Sequence, residues 1–131
     1  MDLWSMPMCV PAMAIAALGL AIASPSFAAD VSAGKALYEA KCGGCHSVDA
    51  NRVGPLHRGV FGRKIASVSG YDYSPALKAV TGTWNAERLE KWLQNPQAIA
   101  PGTKMYFSVD DPVDRAAIIK YLGSVSAPVK H

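Results

Sequence analysis

Cys42-Gly43-Gly44-Cys45-His46 decides how the rest of this 131-residue chain is read. Cysteines three residues apart stand one helical turn from each other, on one face. There each thiol can add to one vinyl group of a porphyrin. His46, four residues after Cys42, comes beside the same face and can send an imidazole nitrogen to iron. Gly43 and Gly44 have no side chains to hold the macrocycle away. The spacing therefore predicts one covalent haem c, tethered by Cys42 and Cys45, with His46 as an axial iron ligand. Two other uses of the cysteines compete. A redox-active disulfide is expected beside a strand–helix–strand unit, and no stretch of this chain sustains period-two alternation. A structural zinc ion needs four ligands, and there is no second Cys/His pair.

Iron held by one histidine leaves a sixth position to fill. The candidates are Met105, His57 and His131. His131 ends a polar tail and is expected to stay in solvent. His57 follows Pro55-Leu56 and is expected to pack or hydrogen-bond in its loop. Met105 lies in Pro101-Gly102-Thr103-Lys104-Met105, where proline and glycine restrict the backbone and suit presentation of a ligand. A thioether ligand favours ferrous iron and raises the reduction potential. Met105 is the predicted second ligand.

Ahead of the motif, Val10 to Ala23 is almost wholly apolar, interrupted by Pro11 and Gly19. The run is short for a membrane span and suits the core of a signal peptide. Ser26-Phe27-Ala28 places small residues at −3 and −1 of a cut before Ala29. The expected organisation is thus a signal peptide over 1–28 and one domain over 29–131, with a frayed tail from about 124. Residues 1–9 carry no Lys or Arg, which a signal peptide normally has, so an uncleaved membrane anchor is the competing reading. Cys9 is assigned to the discarded segment. Cleavage would remove Asp2 and raise the formal charge by one above the +3 of the whole chain. So mild an excess, without a dense basic run, suits an acidic protein partner and argues against nucleic acid.

Downstream, helices are expected from Asp30 to Lys41, with Asp30 or Ser32 capping, and from Ser74-Pro75 onward. A further helix is expected over 86–94, capped by Asn85 and stopped by Asn95-Pro96, with Leu89, Trp92 and Leu93 on one face. The last begins at Asp111-Pro112 and ends at Gly123. Residues 51–63 and 98–107 read as loops. The class is all-α with little aliphatic core, a deficit that a buried haem would make good.

With these residues in view, the chain resembles the class I c-type cytochromes, and among them soluble bacterial relatives of mitochondrial cytochrome c, over Asp30 to Leu122. The resemblance implies the cytochrome c fold: three to five helices wrapped around one haem, the first and last crossing. Gly34 and Tyr38 match the positions that pack against Ile118 and Tyr121. It also implies that the Pro55 carbonyl accepts from His46, fixing the tautomer. Arg63, Tyr73 and Trp84 match positions around a haem propionate, and Thr103 and Phe107 flank the methionine. Four departures stand out: Trp92 where mitochondrial members carry a tyrosine, Leu77 in place of an asparagine, His57 at a usually apolar position, and a shorter loop between His46 and Pro55. The expectation is a potential and an iron–sulfur bond that differ from the family's usual values.

The function so implied is that of a soluble, monomeric one-electron carrier in the periplasm, not an enzyme, cycling its iron between ferric and ferrous states. Some of Lys41, Arg52, Lys64, Lys78 and Lys104 would meet acidic faces of redox partners. Membrane contact would come only through partners or an uncleaved N-terminus. The alternatives are a haem subunit of a periplasmic dehydrogenase, and a peroxidase or ligand-binding cytochrome if Met105 is labile.

Overall fold

The computed structural model describes residues 27–128. The apolar run, Cys9 and His131 lie outside the described residues. Five helices follow in order: α1 Phe27–Lys41, α2 Pro75–Lys78, α3 Ala86–Gln94, α4 Pro96–Ile99 and α5 Pro112–Ser124. The described residues hold no strand, only one isolated antiparallel bridge between Lys64 and Thr83. The all-α expectation is met.

The helix ends show why the segments fold where they do. Ser74 accepts from the Leu77 amide and Pro75 opens α2. Asn85 accepts from Arg88 at the start of α3, and Asp111 from Val113 at the start of α5. Each side-chain oxygen satisfies an amide that the first helical turn leaves without a carbonyl partner. Asn95 has two roles. It closes α3 by donating its amide to Lys91 O, and its side chain accepts from Gln97 to open α4. Pro96 therefore stops one helix and starts another, whose last two residues fall in the 98–107 segment expected to be loop.

Two boundaries differ from expectation. Asp30 and Ser32 do not cap α1, which already runs from Phe27. Asp30 instead pairs with Lys120 of α5 at 2.7 Å. Gly123 does not terminate α5, since it is not among the glycines with left-handed backbone. The helix continues to Ser124, and the following residues are tied down. Val125 O accepts from the Gly59 amide, and Ser126 Oγ accepts from Phe61 N and donates to Leu122 O. The chain stays anchored through Ser126, past the point where fraying was expected.

Helices α1 and α5 pack closely because Gly34 has no side chain. A Cβ there would stand 2.1 Å from the Ala117 carbonyl oxygen and 3.0 Å from Tyr121 Cβ. Beside this contact the Tyr38 and Tyr121 rings meet at 5.2 Å, and Ile118 is wholly buried. On α3, Leu89, Trp92 and Leu93 form the buried face. Arg115 joins α5 to α3 through Glu90 at 2.6 Å, and donates to the carbonyls of Val109 and Asp110. Against this frame the loops of residues 46–74 and 100–110 close around a cleft.

Candidate cofactor site

The haem-attachment stretch leaves α1 as a tight turn. Cys42 and Gly43 both donate to Tyr38 O, and Cys45 and His46 both donate to Cys42 O at 3.0 and 2.8 Å. The turn puts Cys42, Cys45 and His46 on the wall of one cleft of about 460 Å³. Neither thiol is in a disulfide. Burial pushes the Cys42 thiol up to about 11. Gly43 is needed for a reason the sequence did not suggest: a Cβ would meet the Glu39 carbonyl oxygen at 2.5 Å.

His46 is held on two sides. Its Nδ1 lies 2.9 Å from Pro55 O. A carbonyl only accepts, so Nδ1 carries the proton and Nε2 keeps a lone pair for a metal. Burial holds the imidazole below its ordinary pKa, against the opposing pull of the Pro55 carbonyl. Gly54 packs against the ring so closely that a Cβ would fall 2.1 Å from its Cε1. His57 stacks on the same ring, centroids 4.2 Å apart and planes 22° from parallel.

His57 was expected to bond within its loop and instead reaches across to α1. Its Nδ1 shares a 2.9 Å hydrogen bond with the hydroxyl of Tyr38, which is 3% exposed. Burial, then the neighbouring His46 and Arg63, push His57 down to about 3, so it is neutral at physiological pH. We expect His57→Leu to lower stability by about 1–3 kcal/mol, because the Tyr38 hydroxyl loses its partner in the interior. Adding Tyr38→Phe should recover part of the loss in denaturant unfolding. A double variant no more stable than the single one would refute this pairing.

Arg63, Tyr73 and Trp84 come together on the same wall. Gly62 donates to Trp84 O at 2.7 Å and Trp84 to Arg63 O at 2.9 Å, which locks the two segments side by side. The Arg63 guanidinium donates to the carbonyls of Leu56 and Arg58, and burial lowers its pKa. Tyr73 Oη accepts from the Val68 amide, which leaves its own proton to donate. Trp84 packs edge-on to Trp92 at 5.4 Å.

Met105, partly buried, lines the same cleft beside buried Thr103. At the mouth Val53, Tyr106 and Phe107 are exposed apolar groups. Lys41 and Lys104 also reach it, paired with Asp114 at 3.4 Å and Asp72 at 3.2 Å. Arg52 lies elsewhere in role: its guanidinium donates to Gly43 O at 2.6 Å and steadies the cysteine turn. Lys64 and Lys78 do not line the cleft. The eight residues expected at the site, Cys42, Cys45, His46, Pro55, Arg63, Tyr73, Trp84 and Met105, all border this one space. Its largely apolar wall, two free thiols, a histidine with a committed Nδ1 and a thioether match the needs of a covalent haem.

Comparison with known proteins points to the same cofactor. Residues 31–126 match the family model described as cytochrome c. Cytochrome c-type cyt cy of Rhodobacter capsulatus is 43% identical over 73% of this chain, which spans 49% of that protein's length. Cytochrome c 2.1 of Caenorhabditis elegans is 44% identical over 76% of this chain and 93% of its own. Among solved structures, cytochrome cH from Methylobacterium extorquens superposes with a TM-score of 0.68 at 39% identity, covering 72% of this chain and 98% of that one. The chain belongs to the cytochrome c family, and its cofactor is covalently bound haem c with iron.

Proposed function

We propose that this protein is a one-electron carrier whose iron is held between His46 Nε2 and Met105 Sδ, with the haem tethered through Cys42 and Cys45. When bound, haem iron supplies the reversible ferric–ferrous couple. The observation that carries the reading is the His46 Nδ1 to Pro55 hydrogen bond, which directs the free Nε2 toward a cleft that Met105 also lines. Two fixed ligands from opposite ends of the sequence keep coordination unchanged as charge changes, so little has to rearrange. The apolar lining excludes water, and Arg63, with Tyr73 as a second donor, would supply positive charge and a hydrogen-bond proton to a carboxylate of the bound haem. Lys41 and Lys104 at the mouth, with the apolar rim of Tyr106 and Phe107, suit brief docking on an acidic redox partner.

Residues 1–28 are proposed to export the chain to the periplasm and to be removed there, on the strength of the apolar run and Ser26-Phe27-Ala28. No helix among the described residues is long and apolar enough to cross a membrane.

The test is the absorption spectrum of the ferric holoprotein. The weak far-red charge-transfer band of a methionine–iron bond should be present, and Met105→Ala should abolish it. A native protein without the band has an open or otherwise ligated sixth position. A ligand-binding or peroxidase role would then replace the carrier.

A further inference from the structure

Gln97 stands one residue into α4, outside the cleft and absent from its lining. Its side chain nevertheless makes three hydrogen bonds to the backbone that presents Met105. Nε2 donates to Thr103 O at 3.0 Å and to Met105 O at 2.9 Å. Oε1 accepts from the Gly102 amide at 3.0 Å. One amide thus uses both donor hydrogens and its acceptor on the short stretch 102–105. The other anchors of that stretch are few: Lys104 Nζ donates to Asp72 O at 2.6 Å and pairs with the Asp72 carboxylate at 3.2 Å, and the Thr103 side chain is buried. Thr103 donates its amide to Ala100 O, and Gly102 turns the chain at a φ of +91°. The next backbone anchor is Val109 N on Leu93 O. Gln97 is itself fixed at the root, because Asn95 Oδ1 caps its amide and Pro96 is buried.

We infer that Gln97 is the positioning residue that clamps the Met105 loop and sets how readily the methionine leaves the iron. The inference rests on Met105 being the second iron ligand. Releasing the sulfur requires residues 103–105 to swing outward, which breaks the two bonds to Nε2 first. With the clamp in place the closed, ligand-refusing state dominates, and the protein carries electrons instead of binding small molecules. Weakening it shifts the population toward an open sixth position without altering either ligand.

Two variants separate the donor and acceptor roles. Gln97→Leu removes all three bonds. Gln97→Glu keeps an acceptor for Gly102 but sets carboxylate oxygen against the carbonyls of Thr103 and Met105. Gln94→Leu, an exposed position on α3, is the control. The readout is the affinity of the ferric holoprotein for imidazole, which enters only where Met105 has left, alongside the far-red band and the denaturant midpoint. Both Gln97 variants should bind imidazole at least about tenfold more tightly than the native protein, the loss of two hydrogen bonds. The gain should exceed any change in the unfolding midpoint, and Gln94→Leu should match the native protein. Affinities that are unchanged, or that follow only the midpoint, overturn the clamp. A native protein lacking the band overturns the Met105 assignment as well, whereas a native band with native-like Gln97 variants overturns the clamp alone.

Discussion

Gly34→Ala should destabilise the holoprotein by about 3 kcal/mol, the upper part of the usual cost of overpacking. In a solvent-facing helix the same change would help, since alanine is favoured over glycine by about 1 kcal/mol. Here the sign is set by what the new methyl group meets. It would lie 2.1 Å from Ala117 O, 2.9 Å from Ala117 C and 3.0 Å from Tyr121 Cβ. Two of the three are backbone atoms, and the third is the stem of a packed ring, so no flexible tip can move aside. The helices α1 and α5 must separate. Separation also pulls Tyr38 from Tyr121 and Asp30 from Lys120. The denaturant midpoint measures the loss; a midpoint equal to the native one would show that the helices do not meet at Gly34.

Gly54→Ala should be nearly as damaging, but locally. Its Cβ would fall 2.1 Å from His46 Cε1, 2.5 Å from Nδ1 and 2.6 Å from Nε2. The ring has no room to retreat, because His57 is stacked on it at 4.2 Å. Turning away instead breaks the bond to Pro55 O and with it the aim of Nε2. We expect a loss of about 2–4 kcal/mol from overpacking and the broken hydrogen bond. The yield of holoprotein with a six-coordinate, low-spin spectrum should fall in parallel. Gly44→Ala is the contrast for the polypeptide: no protein atom lies within 4 Å of that position, and the unloaded chain should fold as the native one does. Equal behaviour of the two variants would show that glycine at 54 serves no steric purpose.

What could be read from the sequence was whatever chemistry is written in neighbouring residues. Cys42 to His46 carries its own geometry, and Ser74, Asn85 and Asp111 cap helices through contacts only two or three residues away. Features that depend on distant chain escaped. Gly123 has the look of a helix stop, yet Phe61 lies against it and Gly59 and Phe61 tie down the residues beyond, so α5 keeps going. Asn95-Pro96 reads as an ending because the reading follows one helix at a time; the same asparagine also serves the next. His57 read as a loop residue, since nothing within its loop points to Tyr38 nineteen positions earlier. No motif in the sequence marks Gln97, because its partners are backbone groups, which every residue has. A polar side chain just after an Asn-Pro break and close before a Pro-Gly loop is the signal that could have raised it.

The pairing of Asp30 with Lys120, 90 positions apart, has a consequence for how the molecule is made. The entropy of closing so long a loop is lost before the contact returns anything. Because a chain is made from its N-terminus, α1 and α5 can meet only after the whole domain has been made. Until that moment Tyr38, whose carbonyl anchors the cysteine turn, lacks its packing against Tyr121. Afterwards the Cys42 thiol is partly shut away and held protonated. The expected result is that the Cys42 thiol of the unloaded chain reacts more slowly with an alkylating reagent once α1 and α5 have met.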